Sequence, residues 1–210
     1  MRAASEVYAL NIKHLGLRDY TSVWRDMQAF TNERTAATID ELWVVEHPPV
    51  YTLGQAGKRE HILNATSIDI VESDRGGQVT YHGPGQVVVY TLFDIRRAGF
   101  GIRDLVVRLE NAVIDTLGNL SVIAEGRRDA PGVYVDGAKI AALGLRVRRG
   151  SAYHGLSLNI DLDLTPFAGI NPCGYADLAV TSLQKLGVTH TKSAVVESLL
   201  QSLAQHLEVN

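Results

Sequence analysis

The dipeptide Asp136-Gly137 constrains the fold of this chain more than any other feature, because it separates two short β-prone runs, 132–135 and 139–143. Asp-Gly suits the two central positions of a type I′ turn, where both residues need positive φ angles. We therefore predict a tight β-hairpin in which the two runs are antiparallel neighbours. A sheet made only of parallel strands is excluded for this chain.

Three stretches have the apolar spacing of amphipathic helices. Apolar side chains recur three and four residues apart over about 18–34, 102–117 and 195–207, which is the pattern of a helix that buries one face. Gly118 follows the second stretch directly. Because glycine commonly ends a helix at that point, we expect Gly118 to be the C-cap.

Runs rich in β-branched and aromatic residues predict further strands at 42–46, 86–95 and 153–160. Helices and strands alternate along the chain, and the hairpin requires antiparallel pairing. The fold class is therefore α/β (α+β), with a mixed β-sheet flanked by helices. No linker rich in Pro, Ser or Gly divides the chain, so we expect a single domain over residues 1–210, or one with a small C-terminal lobe from about residue 165.

The composition excludes several classes of protein. With 46% hydrophobic and 20% charged residues, the chain is not of the disordered type, and its net charge of −3 argues against a general nucleic-acid binder. No apolar run is long enough to span a bilayer, and the first residues lack the apolar segment of a signal peptide. A single cysteine fits a reducing compartment, so we expect a cytoplasmic protein.

Arginines cluster in three places, at 96–97, 127–128 and 146–149. Such clusters are usually solvated faces, and that is the default interpretation here. If several of them lie on one side of the molecule, they form a cationic patch that attracts an acidic protein partner.

Cys173 is the only cysteine of the chain and stands in a segment typical of a turn, 171–175. It has no second cysteine with which to form an internal disulfide. Most lone cysteines are small buried hydrophobic residues. The alternative is a nucleophile presented on a loop, where catalytic groups concentrate.

The densest glycine cluster lies at 75–86 and leads into a predicted strand. Glycines let the backbone approach a ligand closely, and consecutive amides can bind an oxygen or an anion. A purely structural turn is the competing interpretation, and neither a P-loop nor a dinucleotide motif is present. Arg75 and His82 at the two ends favour a pocket, since a pocket needs polar groups that orient its ligand.

Lys139 opens an otherwise apolar strand. Such a lysine is usually an exposed edge residue, but near Cys173 it would favour thiolate over thiol and lower the cysteine pKa. His82 or His154 could serve as the partner base instead, and the spacing does not decide between them. A metal site is a poor interpretation, because one cysteine and scattered histidines do not give a ligand set.

These segments together resemble the octanoyltransferases of lipoate biosynthesis, also called lipoyl(octanoyl) transferases. The resemblance covers about residues 42–186, and the block Arg-Gly-Gly-x-Val-Thr-Tyr-His-Gly-Pro-Gly-Gln is long and unusual. The matching stretches are 46–54, 75–86, 131–134, 139–144, 153–156 and 170–175. The resemblance implies the fold of the catalytic domain of biotin and lipoate ligases.

The resemblance also implies roles for individual residues. Cys173 would take the octanoyl group as a thioester, and Lys139 would lower the pKa of its thiol. The residues that would contact the substrate are Arg75, Gly76, Gly77, Gln78, Val79, Thr80, Tyr81, His82, Ala142, Leu143, Gly144, His154, Gly155, Leu156 and Ser157. We expect Leu156 and Leu158 to form walls of the acyl site together with Ala142 and Leu143. No metal and no cofactor are implied.

The implied reaction moves an octanoyl group from octanoyl-acyl carrier protein to a lysine ε-amine of a lipoyl-carrier domain. The implied partners are the carrier protein, lipoyl domains of 2-oxoacid dehydrogenase E2 subunits and glycine cleavage H protein, with no nucleic acid and no membrane. We expect a monomer. The candidate oxyanion donors are backbone amides near Gly77, Gly144 or Gly155.

Three other functions remain as alternatives. An ATP-dependent lipoate or biotin ligase shares the fold but activates its acid as an adenylate and needs no thiol. An amidotransferase that moves the acyl group between carrier proteins carries its cysteine elsewhere. A non-catalytic acyl-binding protein would leave the presence of both Cys173 and Lys139 unexplained.

Overall fold

The computed structural model describes residues 10–64, 67–172 and 178–207, and its centre is a seven-stranded mixed sheet. Its strands are β1 (Leu10–Leu17), β2 (Asp40–Glu46), β6 (Gln86–Asp94), β7 (Glu125–Gly126), β8 (Gly132–Val135), β9 (Ala138–Arg148) and β10 (Ser151–Asn159). Their order in the sheet is β1-β2-β6-β10-β9-β8-β7, with β1 parallel to β2 and every other pair antiparallel. The predicted mixed sheet flanked by helices is confirmed.

A second, three-stranded sheet carries the glycine-rich segment. Its strands are β3 (Val50–Leu53), β4 (Asp69–Glu72) and β5 (Val79–His82), in the order β4-β3-β5. The segment 73–78 connects β4 to β5 at the Leu53 end of β3. We call this segment the glycine-rich loop. Short 3-10 helices at Arg59–His61 and Thr165–Gly169 border the small sheet, and Leu63 and Asn64 both donate backbone N–H groups to the Gly169 carbonyl.

The hairpin predicted from Asp136-Gly137 joins β8 to β9. Val135 pairs with Ala138, and the two loop residues have φ angles of 49° and 77°. Both angles lie in the left-handed region that a type I′ turn requires and that Asp and Gly tolerate. The prediction is confirmed, and the hairpin places Lys139 one residue inside β9.

Helices cover both faces of the large sheet. They are α1 (Tyr20–Glu33), the short α2 (Ile95–Ala98), α3 (Ile102–Asn119) and α4 (Lys192–Leu207). On one face, α1 packs Tyr20, Val23 and Met27 against apolar residues of β2, β6 and β10. On the other face, apolar residues of α3 and α4 share one core with β6, β8, β9 and β10, so the central strands are buried on both sides.

The ends of the helices follow from local chemistry. The side chain of Asp19 accepts a hydrogen bond from the Ser22 N–H at 2.8 Å and caps α1. The expectation that Gly118 caps α3 is wrong, because the helix continues to Asn119 and its C-cap is Leu120. The left-handed residue is Ser121, with a φ of 60°, so the chain turns three residues later than the glycine indicated.

None of the helices in the part of the chain that the structure describes combines the length and the apolar character needed to cross a bilayer.

Candidate active site

A cavity lies between the glycine-rich loop and strands β9 and β10. Among the residues predicted to contact substrate, those that line it are Arg75, Gly77, Gln78, Val79, Thr80, His82, Ala142, Leu143, Gly144, His154, Gly155, Leu156 and Ser157. Lys139 lines it as well. The structure thus brings together the loop before β5, β5 itself, β9 and β10, which lie up to 82 positions apart along the chain.

Three residues of the prediction do not line the cavity. Tyr81 packs its ring against Tyr51 and Phe167, each with centroids 5.6 Å away, in the core of the small sheet. Gly76 instead ties the loop to β9, because its N–H donates to the Leu145 carbonyl at 3.0 Å. The expectation that Leu158 forms a wall is wrong. It is fully buried in the core between the sheet and α3.

Arg75 holds the glycine-rich loop in shape. Its guanidinium donates to Thr52 Oγ1 at 2.9 Å and to the carbonyl oxygens of Thr52, Gly76 and Gln78 at 2.5–2.9 Å. These bonds join β3 to both sides of the loop. The positive charge therefore sits beside the cavity while most of its donors fix the backbone around it.

His82 is a neutral imidazole at the base of the cavity. Burial, the charges of Arg75 and the neighbouring His47 and His154 lower its pKa to about 3. Its Nδ1 hydrogen-bonds Gln86 Oε1 at 2.6 Å, and its ring stacks on Tyr20 with centroids 5.7 Å apart. The enclosed His82 ring therefore forms part of the cavity wall and serves as a hydrogen-bonding group.

His154 bonds from Nε2 to Asp74 Oδ1 at 2.7 Å. Burial lowers the pKa of His154, although hydrogen bonding and the negative charge of Asp74 oppose that shift. His154 has a φ of 62°, an unusual conformation for a strand residue other than glycine. Both His154 and the next residue, Gly155, line the cavity.

Lys139 is buried rather than exposed on an edge, with 4% of its surface accessible. Its Nζ donates to the Pro131 carbonyl at 3.1 Å and lies 5.1 Å from the centre of the Tyr134 ring. Its backbone pairs with Val180 in a parallel bridge, through Lys139 N–H to Ala179 O and Thr181 N–H to Lys139 O. The ammonium is thus held at the cavity by β8 and by the segment 179–181.

Cys173 lies outside the residues that the structure describes. Of the described residues before and after 173–177, both Pro172 and Val180 line the cavity.

The part of the chain that the structure describes contains no group of three or more His, Cys, Asp or Glu side chains placed to hold a metal ion.

Several cavity residues were not predicted as site residues. They are Tyr20, Gln86, Val88, Tyr90, Ala141, Asn159, Phe167, Pro172 and Val180. The sequence does single out Tyr20, because it opens the apolar face of α1 with a hydroxyl that needs a hydrogen-bond partner. That partner is Ser73, with 2.7 Å between the two hydroxyl oxygens. No sequence pattern indicates Asp74, because the four side chains that donate hydrogen bonds to its carboxylate lie far away along the chain, in α1 and β10.

Solved structures of lipoate and biotin ligases share this fold. A bipartite lipoate protein ligase from Thermoplasma acidophilum, described with its E2 lipoyl domain, has a TM-score of 0.75 at 14% identity, covering 95% of this chain and 84% of that chain. A biotin protein ligase from Aquifex aeolicus in complex with biotin and ATP has a TM-score of 0.58 at 11% identity, covering 94% and 70%. At such low identities these comparisons confirm the predicted fold alone.

Sequence comparison identifies the family. The model of the lipoyl protein ligase A/B catalytic domain matches residues 19–204. An octanoyltransferase from Chromobacterium violaceum is 59% identical over 199 residues, which is 95% of this chain and 96% of that relative. The chain therefore belongs to the lipoyl protein ligase A/B catalytic-domain family, together with the octanoyltransferases that its motifs resemble.

Proposed function

We propose that this protein transfers an octanoyl group from octanoyl-acyl carrier protein to a lysine of a lipoyl-carrier domain, through a thioester on Cys173. The observation that carries the proposal is the position of Lys139, a buried ammonium on the wall of the cavity that Pro172 and Val180 also line. The names of the octanoyltransferase relatives support octanoyl transfer in lipoylation. The T. acidophilum ligase described with its E2 lipoyl domain supports lipoyl domains as acceptors.

In the first step, the thiolate of Cys173 attacks the carbonyl carbon of the carrier thioester. The new C–S bond forms as the bond to the carrier sulfur breaks, and the departing sulfur takes a proton from Lys139. One thioester replaces another, so the acyl group keeps its activation. A serine would store the same group as a less reactive oxygen ester.

In the second step, the neutral ε-amine of the acceptor lysine attacks the Cys173 thioester. Lys139, now neutral, takes the proton that the amine loses as the amide forms. The Cys173 sulfur leaves as a thiolate, and the starting pair of thiolate and ammonium is restored. No step consumes ATP, which distinguishes this reaction from that of a ligase.

The cavity suits an acyl tail followed by a polar carbonyl. Ala142, Leu143 and Leu156 give it apolar walls, while Gly77 and Gly144 bring backbone close to the ligand. Burying an alkyl tail contributes about 0.8 kcal/mol for each methylene group. A backbone amide at this loop is our candidate for stabilising the tetrahedral oxyanion, a contribution of about 3 kcal/mol.

The test is intact-mass spectrometry of the full chain mixed with octanoyl-acyl carrier protein. We expect one octanoyl adduct on the parent chain, none on Cys173→Ser, and discharge of the adduct when a lipoyl domain is added. Transfer without any adduct would contradict the acyl-enzyme. Transfer by Cys173→Ser from octanoate and ATP would identify a ligase instead.

The proposed reaction needs a reduced thiol at Cys173. A reducing cytoplasm keeps thiols in that form, so we place the reaction there. The role of Lys139 is tested by the pH dependence of iodoacetamide alkylation of Cys173. A midpoint near the ordinary cysteine pKa of about 8.5 in the parent chain would overturn the proposed pairing.

A further inference from the structure

One peptide group joins Lys139 to a buried carboxylate. The carbonyl of Pro131 accepts a hydrogen bond from Lys139 Nζ at 3.1 Å. The N–H of Gly132, at the other end of the same peptide bond, donates to Glu110 Oε1 at 2.8 Å. The peptide dipole therefore points its negative end at the ammonium and its positive end at the carboxylate.

From this arrangement we infer that Glu110 is a positioning residue for Lys139, acting through the Pro131–Gly132 peptide to hold the lysine charged and aimed at the cavity. The inference rests on the proposed function, in which that ammonium stabilises the Cys173 thiolate. It assigns a task to a residue of α3 that does not line the cavity.

Burial of Glu110 needs an explanation of this kind. Only 9% of its surface is accessible, and a carboxylate in such a place is disfavoured unless paired. Burial raises the pKa of Glu110, and the Gly132 N–H and the charge of Lys139 act against that rise. A glutamine at position 110 would accept the same hydrogen bond without the cost of burying a charge. A purely structural role for Glu110 therefore does not explain why the buried residue carries a charge.

The surroundings leave the lysine little freedom. A Cβ on Gly132 would lie 2.9 Å from Lys139 Cε and 3.0 Å from its Nζ, so the side chain crosses this glycine in close contact. The Tyr134 ring faces Nζ from β8, and Arg127 lies 5.1 Å from that ring. The charged or titratable groups near Lys139 thus include Glu110, Tyr134 and, more distant, Arg127.

The carboxylate also has space made for it. Gly126 of β7 is so close that a Cβ there would lie 3.3 Å from Glu110 Oε2. Two glycines therefore make close contacts with these charged side chains: Gly126 lies against Glu110, and Gly132 lies against Lys139. Larger residues at either place would displace a charged side chain.

The test compares Glu110→Gln with Glu125→Gln, which removes the same charge from an exposed position on β7. Nuclear magnetic resonance of the Lys139 side chain, assigned with Lys139→Arg, gives the lysine pKa in the full chain. We expect Glu110→Gln to lower that pKa and to raise the alkylation midpoint of Cys173, while Glu125→Gln changes neither. Equal lysine pKa values in Glu110→Gln and Glu125→Gln would overturn the inference.

Stability gives a second readout. Because glutamine keeps the bond to Gly132, we expect Glu110→Gln to unfold at no lower temperature than the parent, although its transfer rate falls several-fold. A variant that is destabilised, with the Lys139 pKa unchanged, would mean that Glu110 is merely structural. The lysine measurement needs no substrate, so it stands even if Cys173 proves not to form a thioester.

Discussion

His154 and Asp74 form a hydrogen-bonded pair, with 2.7 Å between Nε2 and Oδ1, at the junction of β10 and the glycine-rich loop. The same carboxylate accepts hydrogen bonds from Trp24, Gln28 and Tyr153. One side chain thus ties α1 and β10 to the segment that begins with Arg75. Burial alone would raise the pKa of Asp74, but the bonds from His154, Tyr153 and Gln28 hold it well below the usual range.

Replacing Asp74 by asparagine should therefore cost stability above the ordinary aspartate pKa. A carboxyl group with a lowered pKa stabilises the fold when ionised, and that contribution disappears as pH falls through the folded-state value. We expect Asp74→Asn to lose about 1–3 kcal/mol at neutral pH. Urea unfolding across pH should give curves for the two proteins that converge in acid. Parallel curves would contradict this account.

The buried histidines should make the fold sensitive to mild acid. His82 remains neutral in the folded chain down to a pKa of about 3, whereas the unfolded chain takes up the proton near pH 6.5. The unfolding free energy should thus fall between these values, by about 1.4 kcal/mol per pH unit for this one group. His82→Gln should show a shallower decline in the same range, measured by chemical denaturation. An unchanged slope would exclude His82 as a source of it.

Gly132→Ala should disturb both stability and the lysine. The residue has a φ of 146°, and a Cβ there would lie 2.8 Å from the Ala141 carbonyl oxygen, which cannot move aside easily. We expect a loss of about 1–3 kcal/mol in thermal or urea unfolding. Gly118→Ala is the matched control, because it lies within α3 with open space around it, and alanine there should stabilise by about 0.5–1 kcal/mol. Equal effects at the two sites would refute the steric explanation.

Narrowing the cavity should change the acyl length that the protein uses. Ala142 lines the apolar part of the cavity, so Ala142→Leu should lower kcat/KM for octanoyl-carrier protein about tenfold or more and for a butanoyl carrier much less. Ala138→Leu, at the start of β9 and away from the cavity lining, is the control. An equal loss of kcat/KM for all acyl chain lengths in Ala142→Leu would show that this wall does not select the length of the acyl chain.

The sequence predicts local structure well where one physical signal dominates. The Asp136-Gly137 turn depends on two residues that accept positive φ, and α1 depends on an apolar stripe with Asp19 as its cap. Gly118 misled because a glycine near the end of a helix is compatible with a cap but does not require one. The helix instead ends at Asn119, and its C-cap is Leu120, whose N–H bonds to Leu117 O.

The site was predictable only in part, because its contacts span the chain. The motifs identified most of the cavity wall, yet burial of Lys139 depends on packing from β8 and residues 179–181. Glu110 lies in the middle of an amphipathic pattern, where it resembles any polar residue of a helix. Its bond to Gly132 joins residues 22 positions apart, and no short-range pattern encodes that meeting.

The parallel bridge between Lys139 and Val180 has a consequence for how the enzyme tolerates change. The backbone N–H of the lysine donates to the Ala179 carbonyl, and its carbonyl accepts from the Thr181 N–H. The stretch after the cysteine therefore fixes the position of the lysine backbone. Inserting or deleting one residue between 178 and 182 would shift these two hydrogen bonds, and with them the position of Lys139 and of Val180 in the cavity wall. Variation in length within the family should accordingly avoid this stretch and collect in loops such as 121–124, which do not line the cavity.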